Sequence, residues 1–136
     1  MSIDSIVTLR EIYGPAKVRS VKKQIDHLDR HCIRFISLSP FLVVASASAT
    51  GAPDASPRGG VPGFVHVVDT HTLLIPDSPG NNRLDSLSNL VESPQIGLLF
   101  MIPGMDETLR VNGTVRLRSD EAALVPFADD ARIRIA

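Results

Sequence analysis

Asn81, Asn82 and Arg83 follow Pro79-Gly80 and stand between an apolar strand pattern at Leu73-Leu74-Ile75 and a helical pattern behind them. Residues of these types in this order can seat an anion. Free backbone N–H groups and the positive end of a helix dipole attract it, and an Arg in the first turn can clamp it bidentately. The plainer reading of the same bend is helix capping, for which Asn is a preferred residue. Upstream lies Asp54-Ala55-Ser56-Pro57-Arg58-Gly59-Gly60. Strand alternation there puts Asp54, Ser56 and Arg58 on one face and Ala55 and Pro57 on the other. That polar face either lines a site or belongs to a water-facing edge strand, which Pro57 also suits. Two polar anchors on neighbouring strands suggest a phosphorylated cofactor. With neither a P-loop nor a G-x-G-x-x-G pattern, a monophosphate is favoured over a nucleoside triphosphate or a dinucleotide.

A third polar element is Thr108-Leu109-Arg110-Val111-Asn112-Gly113, with Thr108, Arg110 and Asn112 on one side. Arg110 there could reach an anionic group, or simply face water. His27, His31 and Cys32 have a superficial ligand spacing, but Cys32 falls in an apolar stripe and nothing completes the set, so no metal is expected. His66 and His71 read as surface residues beside a hairpin. Ser56 precedes a proline with no evident base, and no G-x-S-x-G occurs, so serine-nucleophile chemistry has no support.

The elements that must position these residues fit one domain of 136 residues, 43% apolar and 21% charged. A net charge of -1 and an aromatic content of 4% without Trp give no basis for nucleic-acid binding. The basic residues Lys17, Arg19, Lys22, Lys23, Arg30 and Arg34, partly offset by Asp26 and Asp29, read as a solvated helix face. The single cysteine excludes an internal disulfide, and no apolar run approaches the roughly 18 residues of a membrane span. A soluble cytoplasmic protein is expected.

Asp4 is expected to cap a helix running to Tyr13, closed by Gly14-Pro15. The spacing of Val18, Val21, Ile25, Leu28, Cys32 and Phe35 predicts a second helix. Strands are predicted at 41–49, 54–59, 64–68, 72–75, 95–101 and 108–118. A helix carrying Leu84, Leu87 and Val91 closes before Pro94, and Ser119-Asp120 caps a last short helix through Leu124. The result is an α+β chain, mainly β. N-terminal helices cover about 4–38, an antiparallel barrel or sandwich about 41–118, and a short C-terminal segment 119–136.

Taken together, Ser56-Pro57-Arg58-Gly59-Gly60, then Pro76-Asp77 with Gly80-Asn81-Asn82-Arg83-Leu84-Asp85-Ser86-Leu87, then Gly97-Leu98-Leu99-Phe100 leading to Glu107-Thr108-Leu109-Arg110-Val111-Asn112-Gly113 resemble the flavin-binding split-barrel family typified by pyridoxamine 5'-phosphate oxidase. The chain is most similar to its bacterial branch of FMN-dependent enzymes of unknown substrate. The resemblance implies a six-stranded antiparallel split β-barrel that forms a homodimer with FMN at the interface, acting on a small-molecule substrate or electron donor. It assigns Ser56, Pro57, Arg58 and Gly59 to a first flavin-contacting strand. Ile75, Pro76 and Asp77 go to the ring and ribityl chain, Asn81, Asn82 and Arg83 to the phosphate, and Thr108 and Arg110 to a late strand that approaches the flavin. Asn82 stands where the oxidase has a second basic residue. The oxidase's C-terminal substrate residues have no counterpart before Ala136, so vitamin B6 oxidation is not expected. The alternative is a non-catalytic module for flavin, deazaflavin or haem.

Overall fold

A computed structural model of the chain describes residues 2–17, 24–77 and 85–128. In chain order these form α1 (Ile6–Tyr13), α2 (Arg30–Leu38), β1 (Phe41–Ala47), β2 (Pro53–Gly59), β3 (His66–Asp69), β4 (Thr72–Leu74), α3 (Asp85–Glu92), β5 (Gln95–Met101), β6 (Thr108–Thr114) and α4 (Glu121–Leu124), which runs into a 3₁₀ turn at Val125–Phe127. All strand pairs are antiparallel. Four strands make a sheet in the order β2-β1-β5-β6, and β3 and β4 make a separate ribbon. The α+β class and the six-stranded split arrangement are those expected.

The sheet register explains where the core lies. Leu42 of β1 faces Phe100 of β5, which faces Leu109 of β6; one step along, Val44, Leu98 and Val111 form a second row. Alternation sends both rows to one face, where they meet Phe35 and Ile36 of α2, Val65, and Leu28. Phe100 and Leu42 are fully buried. Ser39 ties the end of α2 to the sheet. Its hydroxyl lies 2.6 Å from the Met101 carbonyl oxygen and 2.8 Å from that of Phe41, and its one proton can serve either. The loop after β2 closes against the same helix end. Gly63 has φ +80, and a Cβ there would stand 2.9 Å from the Ser37 carbonyl oxygen, so only glycine fits.

Several expected boundaries move. Ser5 rather than Asp4 caps α1, because its hydroxyl accepts the Thr8 N–H. The second helix does not run from Val18 to Phe35: residues 18–23 lie outside the described residues, and α2 starts only at Arg30, where the Asp29 carboxylate accepts the Cys32 N–H at 2.8 Å. Leu28 is a core residue outside any helix, its N–H donated to the Thr70 carbonyl at 2.7 Å. The hairpin strands are shorter than expected, at His66–Asp69 and Thr72–Leu74. β6 stops at Thr114 instead of Arg118. Asp120 does cap α4, accepting the Ala123 N–H.

Removing the Phe100 ring leaves a cavity where two strand rows and α2 meet. Phe100→Ala is therefore expected to lower unfolding free energy by about 3–5 kcal/mol in urea titrations, with Val91→Ala, an exposed change, within about 0.5 kcal/mol of the parent. The Cys32 N–H holds the Asp29 carboxyl below its usual pKa. Stability from this cap is present above the unfolded carboxylate value and fades as pH falls through the lowered one. The stability gap between the parent and Asp29→Ala is accordingly expected to narrow on acidification, read by circular dichroism.

Candidate functional site

The same register that builds the core also aims the polar residues of β2. Arg58 stands opposite Leu42, Ser56 opposite Val44 and Asp54 opposite Ser46, so these three continue the inward rows out to the sheet's edge strand. All three are half-buried, while Ala55 and Pro57 point outward and are exposed. The two readings of this strand therefore hold at once: β2 is an edge, and its polar face turns inward.

Arg58 Nη1 donates to Asp77 Oδ1, an ion pair that joins β2 to the chain just beyond β4. Both side chains are mostly covered, at 23% and 19% exposure. Burial draws the Arg58 guanidinium below its usual pKa and the Asp54 carboxylate opposes this, which leaves a charged arginine between two acids. The Asp54 carboxylate accepts the Ser86 hydroxyl of α3 at 2.7 Å, and the Asn89 amide donates to the Ser46 hydroxyl at 3.3 Å. These bonds turn α3 so that Ser86 and Leu90 are buried, Leu87 is half-buried and Val91 is 70% exposed. Of the expected stripe, Leu84 lies outside the described residues, and Val91 turns outward because the helix seats on β1 and β2 through these polar contacts as well.

Between these elements lies a cavity of about 420 Å³, within the range of about 300–1,000 Å³ usual for small-molecule sites. Val44, Leu87, Leu90 and Ile96 give it apolar walls, and Arg58 with Asp77 a polar end. Ile75, Pro76, His71 and Thr72 line the ribbon side; Val115, Arg116, Leu117 and Arg118 line the other. Val115 and Leu117 are half-buried and the two arginines exposed. Such a space suits a body with a broad apolar face and a polar edge.

Of the residues expected at a site, Arg58, Ile75, Pro76 and Asp77 meet in this cavity. Ser56 shares the inward face of β2 without lining it, and Pro57 and Gly59 are exposed on the opposite face of that strand. Asn81, Asn82 and Arg83 lie outside the described residues, though Asp77 before them and Leu87 after them both line the cavity. Thr108 and Arg110 do not join this group. Arg110 pairs with Leu99, which pairs with Val43, which pairs with Pro57, so this row occupies the sheet's other face. Within one copy of the chain, Arg58 and Arg110 point to opposite sides of the sheet.

Sequence reasoning missed His71, Arg116 and Arg118. His71 is exposed as expected, yet it lines the cavity, its Nδ1 3.0 Å from the Thr70 hydroxyl. The alternation of Val115 and Leu117 with Arg116 and Arg118 is the signal the sequence offers, though it reads there as a continuation of the strand that ends at Thr114. His31 lies 2.9 Å from Glu107 and His27 3.1 Å from Asp26. Among the described residues no group of three or more His, Cys, Asp or Glu is drawn together for a metal. No described helix is long and apolar enough to cross a membrane.

A family model described as pyridoxamine 5'-phosphate oxidase matches residues 28–136. No match was found among curated protein sequences. Among solved structures, a candidate pyridoxamine 5'-phosphate oxidase from Lactobacillus delbrueckii is similar at TM-score 0.62 and 16% identity, covering 83% of this chain and 93% of that one. HupZ from Group A Streptococcus gives 0.61 and 18%, covering 79% and 83%. HutZ, the haem storage protein from Vibrio cholerae, gives 0.54 and 16%, covering 75% and 72%. At such identities the likeness is one of fold.

The Arg58–Asp77 pair is expected to couple β2 to the segment after β4. A double-mutant cycle of Arg58→Met and Asp77→Asn in urea should return about 1 kcal/mol of coupling, the scale of a partly desolvated ion pair, and near zero would show that the two side chains act independently.

Proposed function

The chain belongs to the pyridoxamine 5'-phosphate oxidase family, and we propose that it is an FMN-dependent oxidoreductase built as one split-barrel domain. The observation that carries this reading is the apolar-walled cavity closed at one end by Arg58 and Asp77. Its shape and polarity fit a flat ring system carrying hydrogen-bonding oxygens at one edge. A bound flavin would supply the hydride or electron chemistry. The protein's part is to hold and to exclude water.

Arg58, oriented by Asp77, would donate to a ring or ribityl oxygen, with Ser56, Pro57 and Gly59 nearby on the same strand. Ile75 and Pro76 would bear on the ring from the ribbon side. Arg83, with Asn81, Asn82 and backbone N–H groups, would hold the phosphate. Val44, Leu87, Leu90 and Ile96 keep water from the reacting edge. Thr108 and Arg110 lie on the sheet's other face, so their assignment to a flavin needs a second copy of the chain. That face carries the half-buried apolar residues Phe41, Val43, Leu99 and Met101, which supports a homodimer with the cofactor at the interface.

A second reading, a haem-binding module, is favoured by one observation. The His71 imidazole lines the cavity with Nδ1 beside the Thr70 hydroxyl, which leaves Nε2 as the nitrogen for an iron. HutZ, similar in fold, is described as a haem storage protein.

An absorption spectrum of the purified protein titrated with FMN tests the leading reading. Uptake with bleaching by a reduced nicotinamide donor is expected, and Arg83→Ala should weaken FMN binding by more than about 1.5 kcal/mol, the lower range for a charge-assisted hydrogen bond. A protein that ignores FMN but shows a Soret band with haemin, lost in His71→Ala, would establish the second reading instead.

A further inference from the structure

Among the described residues three guanidinium groups line the cavity, and they are not equivalent. Arg58 is engaged by Asp77 and stands in the field of Asp54, so an incoming anion would meet two carboxylates beside it. Arg118 has its fork filled by Asp120: Nε donates to Oδ1 at 2.8 Å and Nη2 to Oδ2 at 2.6 Å. The Arg118 pKa is raised by these bonds, and Asp120 is further fixed as the cap of α4. Arg116 has neither hydrogen bond nor ion pair among the described residues.

The base of Arg116 is nonetheless fixed. Val115 and Leu117 on either side are half-buried, and the Val115 N–H donates to the Pro94 carbonyl at 2.9 Å. The side chain itself is exposed at the cavity rim. A charged arm on a rigid base beside an apolar wall keeps its donors free for a ligand and draws anions from solution.

We propose that Arg116 is an anion anchor of this cavity, meeting the phosphate or carboxylate of the bound ligand through its guanidinium fork. The proposal rests on reading the cavity as a cofactor site and adds, to the Arg83 already assigned to a phosphate, a second guanidinium for the charged tail. A flavin would present a phosphate ester and a haem its propionates; the chemistry at Arg116 is the same, and paired probes separate them. FMN is compared with riboflavin, which lacks the phosphate, and haemin with its dimethyl ester, which lacks the carboxylates.

The variants are Arg116→Gln and Arg116→Lys, with Arg118→Gln as control; Arg116 is exposed, and its substitutions should leave the melting temperature unchanged. Fluorescence titration at two salt concentrations is expected to show FMN bound about tenfold more weakly by Arg116→Gln, with riboflavin unaffected. Arg116→Lys should recover part of the loss, and the salt dependence should flatten in Arg116→Gln. If the ligand is haem, the same pattern appears with haemin against its ester. Equal FMN or haemin affinity in Arg116→Gln and parent overturns the proposal while leaving the cavity reading intact. So does an equal loss for the charged and uncharged probe, which would mean packing and not charge. A parent protein that binds none of the four probes overturns the cavity reading and the anchor together.

Discussion

The interaction on which the cavity depends is the ion pair between Arg58 and Asp77. Among the described residues β2 is an edge of the four-stranded sheet and β3-β4 is a separate ribbon, so neither sheet's ladder joins β2 to β4. The pair does so through side chains that are mostly covered. Its contribution to stability is modest, as for most partly exposed ion pairs. Its place matters more, because both partners line the cavity and the pair links β2 to the chain beyond β4. Asp54 and Ser46 do the same for α3 through Ser86 and Asn89.

A second constraint is the pleat. Strand alternation divides the polar residues of the sheet between two faces, with Asp54, Ser56 and Arg58 inward and Thr108, Arg110 and Asn112 outward. No side-chain rotation crosses a sheet. A site that used both sets would have to be assembled from two copies, each lending the face the other lacks. Of the inward set, Arg58 lines a cavity that lies within one chain.

What was legible in the sequence followed from alternation and from turns. β1, β2 and β5 were read nearly to their ends because Leu42/Val44, Ser56/Arg58 and Leu98/Phe100 keep period two between glycine and proline breaks. What was not legible depended on partners far along the chain. The stripe from Val18 to Phe35 keeps helical spacing across Asp29, whereas among the described residues the Leu28 N–H goes to the Thr70 carbonyl and the helix starts only behind the Asp29 cap. The face of α3 is set by Asp54 and Ser46, more than thirty residues away, and apolar periodicity cannot register a hydroxyl that buries itself against a carboxylate. β6 loses its ladder after Thr114 because its neighbour β5 begins at Gln95, although the alternation itself continues through Leu117. The cavity was legible in half: Arg58 stood out as a polar residue on a strand and Asp77 followed from the family resemblance, while Arg116 fell within the expected strand 108–118 with nothing to mark it.

The likeness of fold to the Lactobacillus and Streptococcus proteins, at 16% and 18% identity, has a physical reading in these rows. A row such as Leu42–Phe100–Leu109 asks only for apolar side chains of about the right volume, and many combinations satisfy it. The row ends ask for something different, since that is where the chain meets water and ligand. In this chain the row ends at Arg58, paired with Asp77, on the β2 side, and the arginines that line the cavity with it follow β6 beyond the last paired residue. Each carboxylate engaged by an arginine cancels a charge that a ligand would otherwise see. The anion preference proposed for the cavity would therefore be governed by which guanidinium groups the protein leaves unmatched, and the apolar core rows would contribute nothing to that choice.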